Sequence, residues 1–396
     1  MIYSANSNYD AIVIGGGLTG SALAYELAKK KSKVLLVEKN LNFDNATAYS
    51  YGGIAYWCGT DNLTNQLCEE GIAIERNLTA ELGVDTEFRD LDLLFTIGKS
   101  KNPHEVAKNY QKFSIKPDLL DVQSSCSLEP LLNPEAISGC LRFPHGHVNP
   151  VKTIRGYQKA FTNLGGKIAE ELVISLEKKQ DKIIGINTNK TNYFADQIIV
   201  CAGAFSRQLL QQIGVQIPLY FSHAQLIKTE PTEIKLRTLI MPSTTSRFLM
   251  EEDVTGLAKN SIWDNPTDDL QGEVLEAGAI QFLDGSLCLG QISQIITNPS
   301  ARVDARASEE KIRSAIALFL PQLSQLKGKW HNCQVAFSGD KPFQVGTLPH
   351  LEGVSVFSGF TSPFVFVPPL ARKFAHFLTG NQQESWTIED PLINQP

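Results

Sequence analysis

The feature that most constrains this chain lies in its first forty residues, where Gly15-x-Gly17-x-x-Gly20 joins one apolar run to another. Tyr9-Asp10-Ala11-Ile12-Val13-Ile14 is short, apolar and β-branched, which predicts a strand covered on both faces. From Leu18 to Lys31, Leu23, Leu27 and the small Ala22, Ala24 and Ala28 fall at helical spacing. Lys29, Lys30 and Lys31 follow where cations oppose the helix dipole. Lys33 to Glu38 is a second buried strand. Strand, helix and strand within about thirty residues predict a right-handed parallel crossover. The glycines have geometric roles: Gly15 turns the chain out of the strand, Gly17 admits a pyrophosphate without a Cβ in its way, and Gly20 lets the helix pack on the sheet. The pyrophosphate is then held by free N–H groups and the positive end of the dipole. Glu38 ends the second strand at the offset that reaches an adenosine ribose, and its charge disfavours a 2′-phosphate, so NADP does not suit the site. A lone GxGxxG is weak evidence; strand, helix and terminal carboxylate together are strong.

This element serves FAD and NAD alike. The rest of the chain separates them, because it does not continue with alternating strand–helix units. Residues 65–82 and 151–164 read as helices, with the turn-rich PHGHVNP (144–150) between. VISL, KIIGI and DQIIV between Val173 and Val200 read as a β-meander leading into Cys201-Ala202-Gly203. Residues 229–269 are Pro-punctuated and aperiodic. Ala277 to Gln291 reads as a hairpin turning at Asp284-Gly285. Residues 309–320 and 370–378 read as helices, the last ended by Gly380. There is no internal repeat.

At 396 residues the chain exceeds one typical domain, and 42% hydrophobic with 20% charged residues suits a globular core. The net charge of -6 and the lack of a Lys/Arg-dense run argue against nucleic acid and against a basic membrane patch. No apolar run reaches the roughly 20 residues that span a bilayer. The strand starting near Tyr9 leaves no room for a secretory signal. Seven cysteines, an odd set without CxxC spacing, fit neither a disulfide framework nor a zinc site and suit a reducing, cytoplasmic setting.

Several stretches, in order, resemble the D-amino-acid oxidase superfamily, which includes glycine oxidase and monomeric sarcosine oxidase. They are YDAIVIGGGLTGSALAYELAKKKSKVLLVEK, HVNPVKTIRGYQKAFTNLGGKI, ADQIIVCAGAFSRQLL, IQFLDGSLCLGQ, FSGDKPFQVG and FSGFTSPFVFVPPLARKFAHFLTG. The resemblance implies an α/β fold: a Rossmann-type FAD-binding domain assembled from residues 1–83, 146–214 and 334–396. An α+β substrate domain with a mainly antiparallel sheet would comprise 84–145 and 215–333. It implies cofactor contacts from Gly15, Gly17, Leu18, Thr19, Gly20, Glu38 and Lys39, with Thr47 and Ala48 along the phosphates. Gly52 and Gly53 would lie against the flavin, Val173 at the adenine, and Ala202 and Gly203 beside the ribityl chain. Gly359, Phe360 and Thr361 would sit near the flavin pyrimidine. Cys333, seven residues before Asp340, matches the position where sarcosine oxidase attaches its flavin through sulfur; the alternative is an ordinary buried strand cysteine.

The implied activity is removal of a hydride equivalent from a carbon bearing an amine, followed by imine hydrolysis. Oxygen, a quinone or a protein partner would accept the electrons. The substrate would be a small amine or amino acid. The cation expected to grip a carboxylate is missing, however: Val335 stands at one expected position, and Phe364-Val365-Phe366 offers no Lys at the other. Arg247, on the substrate domain, is a substitute, with a solvated surface Arg as the alternative. His223 is a candidate base and otherwise a hydrogen-bonded strand residue. Tyr220, Trp263, Tyr49, Tyr51, Tyr56 and Trp57 form either an aromatic cage or core. His145 and His147 read as turn residues rather than metal ligands. Two rival readings remain: a flavin-binding assembly protein without turnover, and a dehydrogenase subunit.

Overall fold

In the computed structural model the opening run forms the strand Tyr9–Ile14, the helix Leu18–Lys29 and the strand Val34–Glu38. The structure describes residues 9–380 and 386–388; the ends of the expected first and third cofactor segments lie outside the described residues. The two strands pair in parallel, with Ile12 opposite Leu35 and Val13 opposite Leu36. Alternation along them explains the unbroken apolar run. Val13 and Leu36 enter a core shared with the helices Leu18–Lys29, Asn62–Leu82, Pro150–Asn163 and Pro363–Leu378. Ile12, Leu35 and Val37 enter a second core beneath the strands Val173–Lys179 and Lys182–Thr188. Each such fully buried side chain contributes about 1.5–3 kcal/mol, so neither face of the sheet tolerates a polar substitution.

The first sheet runs in the order Gln344–Thr347, Val354–Ser358, Asn192–Val200, Tyr9–Ile14, Val34–Glu38, Lys167–Glu170. Its centre is parallel, and the meander joins it through antiparallel pairing with Asn192–Val200. The second sheet runs Gly328–Phe337, Tyr220–Thr229, Leu287–Ile296, Leu270–Gln281, Leu239–Pro242, Arg89–Gly98, Ile137–His147, Gly53–Ile54. All its pairings are antiparallel except that of Leu239–Pro242 with Arg89–Gly98. The helix Ala305–Phe319 covers one of its faces through Ile312 and Ile316. The other face carries an aromatic cluster around Trp57. The fold is therefore mixed α/β, with a mainly antiparallel second sheet. Among the described residues no helix is long and apolar enough to cross a membrane.

Two elements depart from what the local sequence pattern predicts. PHGHVNP is not a turn: Pro144 to His147 end the strand Ile137–His147. On one side of that strand, Asp118–Leu120 pairs with residues 140–142 and Gly53–Ile54 with 146–147. Pro144 falls in the gap between these short partners, so no strand on that side requires the N–H it lacks. The last helix begins at Pro363 and runs through Pro368 and Pro369. Pro369 leaves the Val365 carbonyl without its helical donor. That carbonyl faces Gly71 of the Asn62–Leu82 helix so closely that a Cβ at Gly71 would overlap it.

Glu75, on the same helix, is fully buried and neither carboxylate oxygen has a hydrogen-bond partner among the described residues. Burial alone pushes its carboxyl up to about 8. Because the folded state binds this proton more tightly than the unfolded chain, stability falls as pH rises between about 4.3 and the folded value. Above the folded value this contribution is flat. The slope reaches at most about 1.4 kcal/mol per pH unit. Glu75→Gln is expected to remove that slope and raise the melting temperature at pH 8; an unchanged pH profile in thermal melts would contradict the burial of an unpaired carboxyl.

Candidate functional site

A cleft of about 550 Å³ opens where three parallel strands end, at Ile14, at Val37 and Glu38, and at Cys201 after Val200. This is the crevice in which open α/β sheets hold their ligands. Its remaining walls are Asp44–Thr47, Glu171–Ile174, Ala202–Phe205 and, from the edge of the second sheet, Asn332, Cys333 and Gln334.

The glycine loop is held by backbone and carboxylate. Gly15 N–H donates to the Val37 carbonyl (2.8 Å). Gly16 N–H donates to Glu38 Oε2 (2.6 Å), and Asn40 N–H to Oε1 (3.0 Å), so Glu38 fixes the loop while still bordering the cleft. An ionised carboxylate has about four acceptor sites, which leaves capacity for a ribose hydroxyl. Gly17 caps the first helix with no side-chain hydrogen bond, and the first turn holds no acidic residue. Apart from the Leu18 N–H, which donates to Thr47 Oγ1, the first helix N–H groups and the positive dipole end therefore face the cleft without a side-chain partner from the cap.

The glycines divide by what surrounds them. A Cβ at Gly20 would overlap the Gly15 carbonyl, so Gly20 is a packing requirement. A Cβ at Gly17 would meet only Thr47 Oγ1, at 3.4 Å, and one at Gly203 would meet nothing within 4 Å. Gly203 is glycine because its backbone is left-handed (φ 55°), whereas the protein's own packing does not explain Gly17; a ligand lying against the backbone does. Asn332 adds a buried Oδ1 without a partner in the cleft wall. An extended dinucleotide fits this set: an anion site at the helix end, a carboxylate for a ribose, and an unpaired polar atom further along.

Of the residues singled out in the sequence, Gly15, Gly17, Thr19, Glu38, Lys39, Thr47, Val173, Ala202, Gly203 and Cys333 line the cleft. Lys39 holds its ammonium 4.0 Å from the centre of the Phe205 ring. Leu18 N–H donates to Thr47 Oγ1 (3.3 Å), while its side chain is in the core. Ala48, Gly52, Gly53, Gly359, Phe360 and Thr361 lie off this wall. The Ala48 carbonyl accepts from Lys228 Nζ (3.3 Å), Gly52 packs under the Val148 carbonyl, and Gly53 pairs with His147. The Gly359 carbonyl accepts from Ser338 Oγ (2.9 Å), the Phe360 ring packs at a tilt against Phe343 and Phe357, and Thr361 N–H donates to the Pro342 carbonyl (3.0 Å). Asp44, Asn45, Glu171, Gln208, Gln212, Asn332 and Gln334 also line the cleft, and sequence reasoning missed them. Asn332 and Gln334 had one usable signal, their adjacency to Cys333 on a strand.

The three candidate catalytic side chains are otherwise engaged. Arg247 is neutralised by Glu251 (2.9 Å) and Glu276 (3.3 Å). His223 is buried, with Nε2 3.1 Å from the Asn298 carbonyl, and burial holds its ring below the usual imidazole range. Tyr220 is buried against Trp263 and Phe337, and its hydroxyl lies 3.4 Å from Asn260 Oδ1. None of the three borders the cleft. Trp57 stacks on Phe143 (4.1 Å between ring centres), and its Nε1 donates to His145 Nδ1 (3.1 Å). Burial holds both His145 and His147 near 3, so both imidazoles are neutral. They are buried strand residues, not the turn residues expected.

Between the cleft and the second sheet a polar seam runs from Asp44 inward. Tyr49 donates to Asp44 Oδ1 (2.8 Å) and stacks on His331 (4.5 Å). Lys228 lies 6.0 Å from the Tyr49 ring and 5.6 Å from Phe282, and has no carboxylate ion-pair partner among the described residues. Next to it, burial pushes the thiols of Cys288 and Cys333 up to about 12.

A profile of the DAO family, FAD dependent oxidoreductases, matches residues 10–377. The chain belongs to this family. It is 21% identical to human peroxisomal sarcosine oxidase, over 96% of this chain and 94% of that protein. It is 23% identical to 4-methylaminobutanoate oxidase (formaldehyde-forming) of Paenarthrobacter nicotinovorans, over 93% of this chain but only 43% of that longer protein. Glycine oxidase from Geobacillus kaustophilus has the same fold, with a TM-score of 0.78 at 17% identity and 96% of both chains covered. A dinucleotide-sized cleft at the strand ends thus stands in a protein of an FAD-dependent family.

Gly17→Ala is expected to fold normally, because its Cβ has room, and to weaken FAD binding about 10–100-fold, the cost of losing hydrogen bonds to a charged group. Gly20→Ala is expected to fail to fold. Equal FAD affinity for wild type and Gly17→Ala, by fluorescence titration, would contradict a diphosphate at the helix end.

Proposed function

We propose that this DAO-family protein oxidises the C–N bond of a small amine or amino acid, with residues 1–83, 146–214 and 334–396 carrying the cofactor and 84–145 and 215–333 the substrate. Bound FAD would supply the chemistry by accepting a hydride from the substrate carbon at N5. The observation that carries the amino-acid side of this reading is Lys228. Among the described residues it is a cation without a carboxylate partner, at the seam between the Thr47–Tyr49 segment and the second sheet. A substrate carboxylate would complete its charge balance and orient the adjacent carbon. The surrounding groups are suited to an electroneutral site. His145 and His147 are held neutral by burial, as are the thiols of Cys288 and Cys333. His331 is held below the usual imidazole range by burial and by Lys228, so its ring stays uncharged beside that cation. The sarcosine and methylaminobutanoate oxidases named above are consistent with an N-methylated amino acid.

We further propose that FAD is held without a covalent bond. Cys333 faces the cleft, but burial, with the Asp44 charge second, keeps its thiol protonated, and Sγ rests 3.8 Å from the Ala224 carbonyl. Acid precipitation is expected to leave the yellow colour in solution. Colour retained by the pellet, and lost in Cys333→Ser, would establish a thioether instead. The free-cysteine content supports a reducing, cytoplasmic setting.

Anaerobic addition of N-methyl amino acids is expected to bleach the flavin absorbance. Readmission of air then separates an oxidase, which forms peroxide, from a dehydrogenase that needs a quinone or protein acceptor. Lys228→Met is expected to raise KM for carboxylated substrates about 10–100-fold and to leave amines without a carboxylate unaffected. A protein that holds FAD yet is bleached by no amine would favour an assembly role over catalysis.

A further inference from the structure

We propose that Cys58 and Cys68 form a hydroperoxide-sensitive dithiol that closes reversibly into a disulfide beside the cofactor domain's last helix. This rests on the two thiols alone and is independent of the substrate. Their Sγ atoms lie 3.8 Å apart, and Cys58 Sγ also lies 3.6 Å from Ser362 Oγ, the residue before the helix Pro363–Leu378. The two cysteines differ in their surroundings. Cys58 sits in the partly exposed loop after Gly53–Ile54, whereas Cys68 is 1% exposed on the Asn62–Leu82 helix. The contact with Cys68, helped by Ser362, draws the Cys58 thiol below its usual range against the opposing effect of burial, while the same contact and burial push Cys68 up. An accessible, more acidic thiol backed by a protonated buried one is the arrangement of an attacking and a resolving cysteine. Cys140, Cys201, Cys288 and Cys333 are buried, with thiols pushed up by burial. Cys126, partly exposed, is also pushed up by burial; its Sγ lies 3.9 Å from the Leu132 carbonyl and it packs against the core that holds Cys140.

The chemistry balances with a hydroperoxide as oxidant. The Cys58 thiolate attacks the outer peroxide oxygen, the O–O bond breaks, and the alkoxide or hydroxide leaves, giving a sulfenic acid. The Cys68 sulfur then displaces hydroxide from it, and with its own proton this leaves as water. Two thiols lose two electrons and the peroxide gains them. Closing the bond requires the sulfurs to approach to about 2.05 Å, a movement of under 2 Å that the loop holding Cys58 can supply. A dithiol reductant reverses it by exchange.

The test uses the intact FAD-loaded protein. Both cysteines fall in one tryptic peptide, Asn40–Arg76. After a brief exposure to a few equivalents of hydrogen peroxide and alkylation, that peptide is expected to be two hydrogens lighter and unalkylated. Dithiothreitol should restore both alkylations. Cys68→Ala is expected to leave Cys58 without a resolving partner, so that it advances to the sulfinic acid, and Cys58→Ser to leave Cys68 reduced. Circular dichroism matching wild type shows that each variant is folded; should Cys68→Ala fail this check, the wild-type and Cys58→Ser results decide. Full alkylation of both cysteines after peroxide, or oxidation of Cys126 ahead of the pair, would overturn the proposal.

Discussion

The structure depends on one close approach: the first helix packs so tightly on the strand before it that Gly20 has no room for a Cβ beside the Gly15 carbonyl. That contact sets the helix axis, and the axis aims its N–H groups past Gly17 into a crevice at the strand ends. The crevice exists because strands on both sides of Tyr9–Ile14 end at the same level, as doubly wound sheets do at a switch point. Glu38 then stiffens the loop through the Gly16 N–H, so that a side chain bordering the ligand site also shapes it.

The second sheet completes the site rather than merely adjoining it. Its edge strand Gly328–Phe337 contributes Asn332 to Gln334 to the cleft, and its neighbour Tyr220–Thr229 sends Lys228 to the Ala48 carbonyl. The two sheets are thus joined by side chains that face a common seam. The charge arrangement there is uneven. Arg247 is surrounded by carboxylates, whereas among the described residues Lys228 has no carboxylate partner and lies beside the Ala48 carbonyl, the Tyr49 and Phe282 rings and the Cys288 thiol. Lys228 is half-buried, and a bound substrate anion would supply the partner charge it lacks. On the function proposed above, Lys228 rather than Arg247 is the cation left for a substrate anion.

Much of this is legible in the sequence where local pattern and tertiary role coincide. The first strand–helix–strand, the meander and the Asp284-Gly285 hairpin carry their geometry in their own residues. The strand ending in His145-Gly146-His147 does not, because Pro144, Gly146 and Asn149 imitate a turn and only the arrangement of partner strands makes Pro144 acceptable. The last helix is longer than its sequence pattern for a related reason: Pro368 and Pro369 break the local periodicity, and the close packing of Gly71 that accompanies them is a distant contact. Lys228 is invisible in the sequence because an unpaired cation is defined by which carboxylates are absent in space. The same holds for the Cys58–Cys68 pair, ten residues apart and joined only by the way a loop folds back on a helix.

The central claim is that the helix end holds a diphosphate, and comparing FAD with riboflavin tests it most directly. Titration of the apoprotein by flavin fluorescence is expected to give FAD a dissociation constant at least about a hundredfold lower than riboflavin, since several charge-assisted hydrogen bonds of about 1.5–3 kcal/mol each belong to the diphosphate. Equal affinity for the two would place the binding energy on the ring alone and contradict the account.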